Sequence, residues 1–157
     1  MLLLVLFILL IDTIEAQEMP PRPVSVSFIR NLSFGAFSQG VGGGSVIIDP
    51  AGLRNSVGDI ILVSLGYTYY PAIFQIEGNP GTVIHYLAGS AAVLTGNNGG
   101  TMTMNLGSTE PPTPFVLPYS GGGTLEVYLG GTLTVGNPLS NPPGDYSGSF
   151  VVMFIQE

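Results

Sequence analysis

The chain has 157 residues, enough for one domain, and combines 23 Gly and 13 Pro with 45% hydrophobic residues. Only 8% of the residues are charged, the formal net charge is −7, and the basic side chains are Arg22, Arg30 and Arg54. This composition argues against nucleic acid or an anionic lipid surface as a partner, because both are bound through clustered Lys and Arg. With no cysteine there is no disulfide framework and no thiolate metal site.

The first residues have the pattern of an export signal. Residues 1–11 form an apolar run that is shorter than the roughly twenty residues needed to span a bilayer. Ala16 supplies the small residue expected before a cleavage site. We predict a signal peptide over residues 1–16, and hence export through the periplasm to a secreted or cell-surface location. The alternative is that this run is a buried first strand of the mature domain.

The next segment combines a stiff arm with an alternating strand. Residues 17–23 contain three prolines and are predicted to be an exposed, extended arm. Val24, Val26 and Phe28 then alternate with serines, as in a half-buried strand. Two interpretations stay open: this strand either belongs to a self-contained domain over residues 24–157, or leaves its own domain and adds to a neighbouring one.

Short strands and turns follow through the middle of the chain. The Gly-rich residues 40–44 predict a hairpin loop, and the strand over residues 45–49 is predicted to end at the turn of residues 50–52. Residues 59–65 are apolar on both alternating sets and are the predicted neighbour of the C-terminal strand.

Two later segments carry further strand signals. Met102, Met104 and Leu106 alternate with polar residues and are predicted to point inward. Residues 124–135 are predicted to form one long strand or two, with a bulge or bend at Gly130 and Gly131.

The C-terminal run is the strongest single signal in the chain. It is apolar on one alternating set, Phe150, Val152 and Phe154, and equally on the other, Val151, Met153 and Ile155. Burying one such side chain is worth about 1.5–3 kcal/mol. We therefore predict a core strand that is buried on both faces at a centre of the core.

The recurrence of short strands and turns, without helical periodicity, predicts an all-β fold. The expected architecture is an antiparallel β-sandwich. An outer-membrane barrel would need strands of about 9–11 residues, which is longer than most of these runs.

A family resemblance rests on two parts of the chain. The first consists of residues 31–37 and 46–52, and the second of residues 130–136 and 144–150. They resemble the opening and the end of a bacterial secreted family catalogued as domain of unknown function 4402. The closing segment is also similar to the last strand of chaperone–usher pilins and of spore-coat protein U domains, where a Gly-x-Tyr-x-Gly turn leads into a final hydrophobic strand. The resemblance implies a secreted immunoglobulin-like sandwich of bacterial surface or fimbrial type. Because the family has no established activity, it assigns no functional role to any residue of this sequence. The chain lacks the cysteine pair of many pilins.

No set of residues with convergent chemistry is evident. His85 is the single histidine, and neither a nucleophile nor an orienting acid can be identified for it. The acidic residues are scattered and lack the spacing of a calcium loop. We predict no enzymatic activity, no cofactor and no metal.

Tyr67, Tyr69 and Tyr70 form the densest aromatic group. They can serve as a platform for sugar or as aromatic strand pairs that stabilise a sheet.

Two functional hypotheses follow from these patterns. The first is an exported, non-enzymatic structural or adhesive subunit of the bacterial cell surface, pilin-like, that assembles by β-strand addition through Val24, Val26 and Phe28. Its partners would be other copies of itself or related surface subunits, and a periplasmic chaperone. The alternative is a secreted carbohydrate-binding β-sandwich module that uses Tyr67, Tyr69 and Tyr70.

Overall fold

The computed structural model describes residues 22–157, so the predicted signal peptide and all but the last two residues of the predicted arm lie outside the described residues. All regular secondary structure in that range is β-strand. None of the described residues forms a helix with the length and hydropathy needed to cross a membrane. The strands are β1 (Ser25–Arg30), β2 (Ser33–Phe34), β3 (Ala36–Ile48), β4 (Arg54–Val63), β5 (Tyr69–Tyr70), β6 (Ala72–Glu77), β7 (Val83–Ala88), β8 (Ala92–Gly96), β9 (Thr101–Glu110), β10 (Phe115–Val116), β11 (Thr124–Val135), β12 (Tyr146–Ser147) and β13 (Val152–Gln156).

The strands pair antiparallel in three sheets that form a sandwich-like arrangement. The largest sheet has eight strands: the path β1-β6-β11-β9-β8-β12, with β3 added on β11 and β4 on β3. A second sheet has the order β10-β7-β13, and β2 pairs with β5 in a small third sheet. The predicted all-β antiparallel sandwich is confirmed.

Strand β11 is the centre of the larger sheet. Its first half pairs with β6 and its second half with β3, while β9 lies along its other edge. The chain changes partners at Gly130, where a Cβ atom would lie 2.5 Å from the carbonyl oxygen of Ile48. Only glycine permits this close approach. The register with β9 shifts between Leu129 and Gly131, which confirms the predicted bulge or bend.

The two halves of β11 face two hydrophobic clusters. Val127 and Leu129 belong to one cluster and Leu133 and Val135 to the other. The first cluster fills the space between β6 and the second sheet, and its members are Ala72, Phe74, Ile76, Ile84, Tyr86, Phe115, Leu117, Val127 and Leu129. The second consists of Phe34, Val46, Ile48, Ile60, Ala92, Met102, Met104, Leu133 and Val135. Met102 and Met104 are buried as their alternation predicts.

The hairpin loop predicted for residues 40–44 is wrong. The chain continues there as part of β3, and the irregularity appears as a register shift against β4 between Gln39 and Gly44. Gly43 has a φ of +61°, which glycine adopts without strain, so the Gly-rich run makes a bulge inside a strand. The tight turn follows β3, where the Gly52 amide donates to the Asp49 carbonyl at 3.0 Å.

The expectation that residues 59–65 neighbour the C-terminal strand is also wrong. Most of them belong to β4, which pairs with β3 alone and lies at an edge of the larger sheet. Ile61 is 68% exposed on this edge strand. The strand that pairs with β13 is β7.

The C-terminal strand is a core strand on one face only. Phe150, Val152 and Phe154 pack against the core, whereas Val151, Met153 and Ile155 are exposed. The prediction of burial on both faces is wrong because β13 is an edge strand, and nothing in the described chain covers the outer face of its sheet.

Strand β1 pairs with β6 of its own chain. The register places Val26 opposite Ile76 and Phe28 opposite Phe74, on the face that points into the sandwich. Even so, Phe28 is 55% exposed. The second sheet ends at β13, so it does not extend over β1.

Candidate binding cleft

A cleft of about 1140 Å³ separates an N-terminal part of the chain from a C-terminal part. Residues 31–39 form one wall, and residues 142–148 together with Phe150 form the other. Met102, Met104 and Leu133 lie at the bottom. We call this feature the binding cleft.

Each wall of the binding cleft contains a strand segment that is paired on one side only. Residues 36–39 of β3 pair with β4, and β11 pairs with β3 only from Gly44 onward. On the opposite wall, β12 pairs with β8 alone. Within residues 22–157, each wall therefore retains a strand edge whose backbone groups are available to another strand.

The apolar surface of the binding cleft comes from its half-buried side chains. Phe37, Leu94 and Phe150 line the cleft and pack on the core cluster without being fully covered. Met102, Met104 and Leu133 beneath them are almost entirely buried. An apolar ligand group would therefore contact the three half-buried side chains first.

The rim of the binding cleft is polar and nearly uncharged. Asp145 is the only ionisable acid or base other than tyrosine among its lining residues. The Gln39 side-chain amide donates to the Asn141 carbonyl at 2.6 Å and ties the two walls together. Asn141 is itself buried, and its side chain donates to the Thr101 carbonyl at 2.6 Å. These bonds hold the walls of the cleft in a fixed position.

The fold and cleft can now be compared with known families. The family model described as domain of unknown function DUF4402 matches residues 24–155. The chain belongs to the DUF4402 family. The matched range of this DUF4402 domain contains both walls of the binding cleft. No curated protein and no solved structure matches the chain.

The tyrosines singled out in the sequence divide between two places in the DUF4402 domain. Tyr67 and Tyr70 line the binding cleft, whereas Tyr69, together with Tyr70, lines a second cavity. The Arg54 guanidinium lies 4.3 Å from the Tyr69 ring centroid, and Arg30 lies 4.8 Å from that of Tyr70. Each cation stacks on an aromatic ring, an arrangement that fixes the ring.

The strand-exchange residues and the C-terminal residues lie differently with respect to the cleft. Val24, Val26 and Phe28 do not line it, because β1 is held against β6. Phe150 does line it, and Phe154 lies farther along the same segment among the rings of Phe74, Tyr86 and Phe115.

Sequence reasoning missed Phe37, Leu94 and Gln39 as members of the cleft, and Asn141 as the residue that bonds to Gln39. Gln39 and Asn141 are about a hundred residues apart in sequence, and no local pattern connects them. Tyr146 could have been found from the turn motif before the final strand. Its hydroxyl donates to the Pro142 carbonyl at 2.8 Å and orders that wall.

Most ionisable side chains of the described residues lie apart from one another. Within the described part of the chain, no three His, Cys, Asp or Glu side chains are placed to hold a metal ion. His85 lies 3.5 Å from Glu157 in an exposed pair. Burial raises the pKa of Tyr86 to about 12, and this side chain is part of the core.

Proposed function

We propose that this DUF4402 domain is an exported, non-enzymatic structural or adhesive subunit of the bacterial cell surface that assembles by β-strand addition. The observation that carries the proposal is the binding cleft, which has a strand edge on each wall and apolar side chains between them. An extended segment placed there would gain backbone hydrogen bonds from the walls and bury alternate side chains. In this respect the subunit would be pilin-like.

The segment that fits best is β1 of a second copy. In its own domain β1 is paired with β6 alone, and its inward residues Val26 and Phe28 are half-exposed. Leaving β6 therefore gives up only part of the burial that these two side chains could have. In the cleft of a neighbour, the same side chains would pack against Phe37, Leu94 and Phe150, and the walls would replace the backbone bonds lost to β6.

Charge also favours a second copy as the partner. Arg22 precedes β1 and Arg30 is its last residue, so this segment carries two of the three cations of a chain whose net charge is −7. The binding cleft contributes one charge, Asp145. The β1 segment would therefore be attracted by the net negative charge of a second copy. Related surface subunits would compete for the same site, and a periplasmic chaperone would protect it before assembly.

The test is the oligomeric state of residues 17–157, measured by light scattering over a range of concentrations. We expect multimers of the parent chain and monomers of Val26→Asp, because a charge on the inner face of the donated strand would be buried in the cleft. Ser27→Asp is the matched control, since it adds the same charge to the outer face of the same strand and should still assemble. Monomers of the parent chain, or equal assembly of both variants, would contradict the proposal.

The acceptor side can be tested with a complementary variant. Leu94→Asp places a charge in the binding cleft and leaves β1 intact. Alone, Val26→Asp and Leu94→Asp should each stay monomeric. Mixed, they should form a heterodimer, because the first keeps a working cleft and the second keeps a working strand. The absence of a heterodimer from two folded variants would count against the cleft as the acceptor.

A further inference from the structure

A second, smaller cavity of about 350 Å³ lies on the outer face of the larger sheet. Arg30, Tyr128 and Glu110 form a row across neighbouring strands, since Arg30 and Tyr128 both pair with Ile73 and Tyr128 pairs with Glu110. The turn at residues 50–52 and the rings of Tyr69 and Tyr70 complete the lining. We call this cavity the outer pocket.

The side chains of the outer pocket are held in place and retain free hydrogen-bonding groups. The Arg30 Nε donates to the Pro71 carbonyl at 3.3 Å, and in the described chain its terminal nitrogens have no hydrogen-bond partner. The Tyr128 hydroxyl donates to Glu126 at 3.0 Å, which fixes the ring. The Glu110 carboxylate is exposed and can accept hydrogen bonds.

We propose that the outer pocket binds a neutral carbohydrate while β1 is paired with β6 of its own chain, a function beyond the assembly proposed above. Donation of β1 to a neighbour would take Arg30 out of the outer pocket. Sugar rings present C–H faces that pack on aromatic rings, and hydroxyls that both donate and accept hydrogen bonds. The outer pocket combines tyrosine rings with a donor, Arg30, and an acceptor, Glu110. Its volume is at the small end of the range of about 300–1,000 Å³ for ligand pockets, which suits a short saccharide unit.

The charges of the outer pocket select against anionic ligands. An anion would be attracted by Arg30 but repelled by Glu110, by Glu126 nearby and by the net charge of −7. A polyhydroxy ligand without net charge satisfies both groups at once.

The experiment titrates the monomeric fraction of the mature chain, residues 17–157, in which β1 pairs with its own β6, with cello-, malto-, manno- and chito-oligosaccharides and follows binding by calorimetry and NMR. Oligogalacturonate serves as the anionic probe. We expect at least one neutral oligosaccharide to bind more tightly than oligogalacturonate. Binding of none of the neutral probes, or tighter binding of the anionic one, would overturn the proposal.

Two variants locate the binding. Glu110→Gln and Tyr128→Ala should each weaken it by about tenfold or more, because each removes a contact of the kind that hydrogen bonds to charged groups and aromatic packing provide. Glu77→Gln and Tyr119→Ala are matched controls at exposed positions away from the outer pocket and should bind as the parent does. Equal affinity in all four variants would place the ligand elsewhere.

The result can be separated from the outcome of the assembly test. Leu94→Asp alters the binding cleft and should retain full affinity for the oligosaccharide. Glu110→Gln alters the outer pocket and should retain assembly. Loss of saccharide binding in Leu94→Asp would mean that the cleft, and not the outer pocket, holds the sugar.

Discussion

Phe28 of β1 packs against Phe74 of β6 with the two rings 6.0 Å apart and inclined by 66°. The partners differ sharply in burial, since Phe74 is 6% exposed and Phe28 is 55% exposed. Phe74 also contacts Phe154 of the second sheet, at 5.7 Å. Phe28 thus lies at the margin of a core of which Phe74 is a part.

Replacing each of these rings by alanine should therefore have unequal effects. Phe74→Ala should lower the free energy of unfolding by about 3–5 kcal/mol, because it leaves a cavity in the core. Phe28→Ala should cost only about 1 kcal/mol, since half of the ring is already in water. Urea denaturation of the monomeric protein measures both values. Similar losses in the two variants would show that β1 is not a marginal strand.

The two faces of β13 should respond differently to truncation. Phe154→Ala should cost about 3–4 kcal/mol, because its ring packs among three other aromatic rings. Met153→Ala, the adjacent residue on the exposed face, should cost less than about 1 kcal/mol. Thermal unfolding followed by circular dichroism distinguishes these outcomes. A large loss in Met153→Ala would mean that another element covers the outer face of the sheet.

Tyr86 should make the protein less stable at high pH. Burial raises the pKa of Tyr86 from its ordinary 10.0 to about 12. The folded state therefore keeps the proton between these values while the unfolded state loses it. The stability that depends on the Tyr86 proton is fully present below pH 10 and is lost as the pH rises from 10 to about 12, so the free energy of unfolding should fall by at most about 3 kcal/mol.

Tyr86→Phe is the variant that isolates this effect. The Tyr86 hydroxyl has no hydrogen-bond partner among the described residues, so its removal should leave stability at pH 7 unchanged or slightly higher. Above pH 10 the variant should be more stable than the parent. Parallel stability curves for the two proteins between pH 8 and about pH 11.5 would disprove the assignment.

Asn141, a buried residue beside the binding cleft, should be sensitive to substitution. Its side chain accepts from the Gly136 amide at 2.5 Å and donates to the Thr101 carbonyl at 2.6 Å while buried. Asn141→Ala leaves buried groups unpaired and should cost about 2–4 kcal/mol. Asn137→Ala, which loses exposed bonds in the same loop, should cost about 1 kcal/mol. Equal losses by urea denaturation would contradict this role for Asn141.

The alternation of apolar and polar residues predicted the strands well where one face is buried and the other is exposed to solvent. Met102 and Met104 alternate with polar residues, and both point into the core as expected. The bend in β11 was visible because Gly130 and Gly131 interrupt an otherwise regular strand. These features depend on neighbours along the chain, which the sequence displays directly.

The errors arose where the environment depends on distant residues. The apolar outer face of β13 indicates burial, but whether anything packs on a strand is decided by the order of strands in the sheet. The same holds for the Gly-rich run before Gly44, because glycine allows a bulge as readily as a turn. The binding cleft brings residues 31–39 beside residues 142–148, a proximity that no local pattern encodes.

The position of β11 constrains when the protein can fold. Strands β3, β6 and β9 all take β11 as a partner, and both hydrophobic clusters include its side chains. Because β11 ends at Val135 of a 157-residue chain, most of the polypeptide must be available before either cluster can close. A chain shortened before β11 would expose the apolar faces of three strands at once and should be cleared by proteases. The core is therefore expected to close only once β11 is available to all three strands.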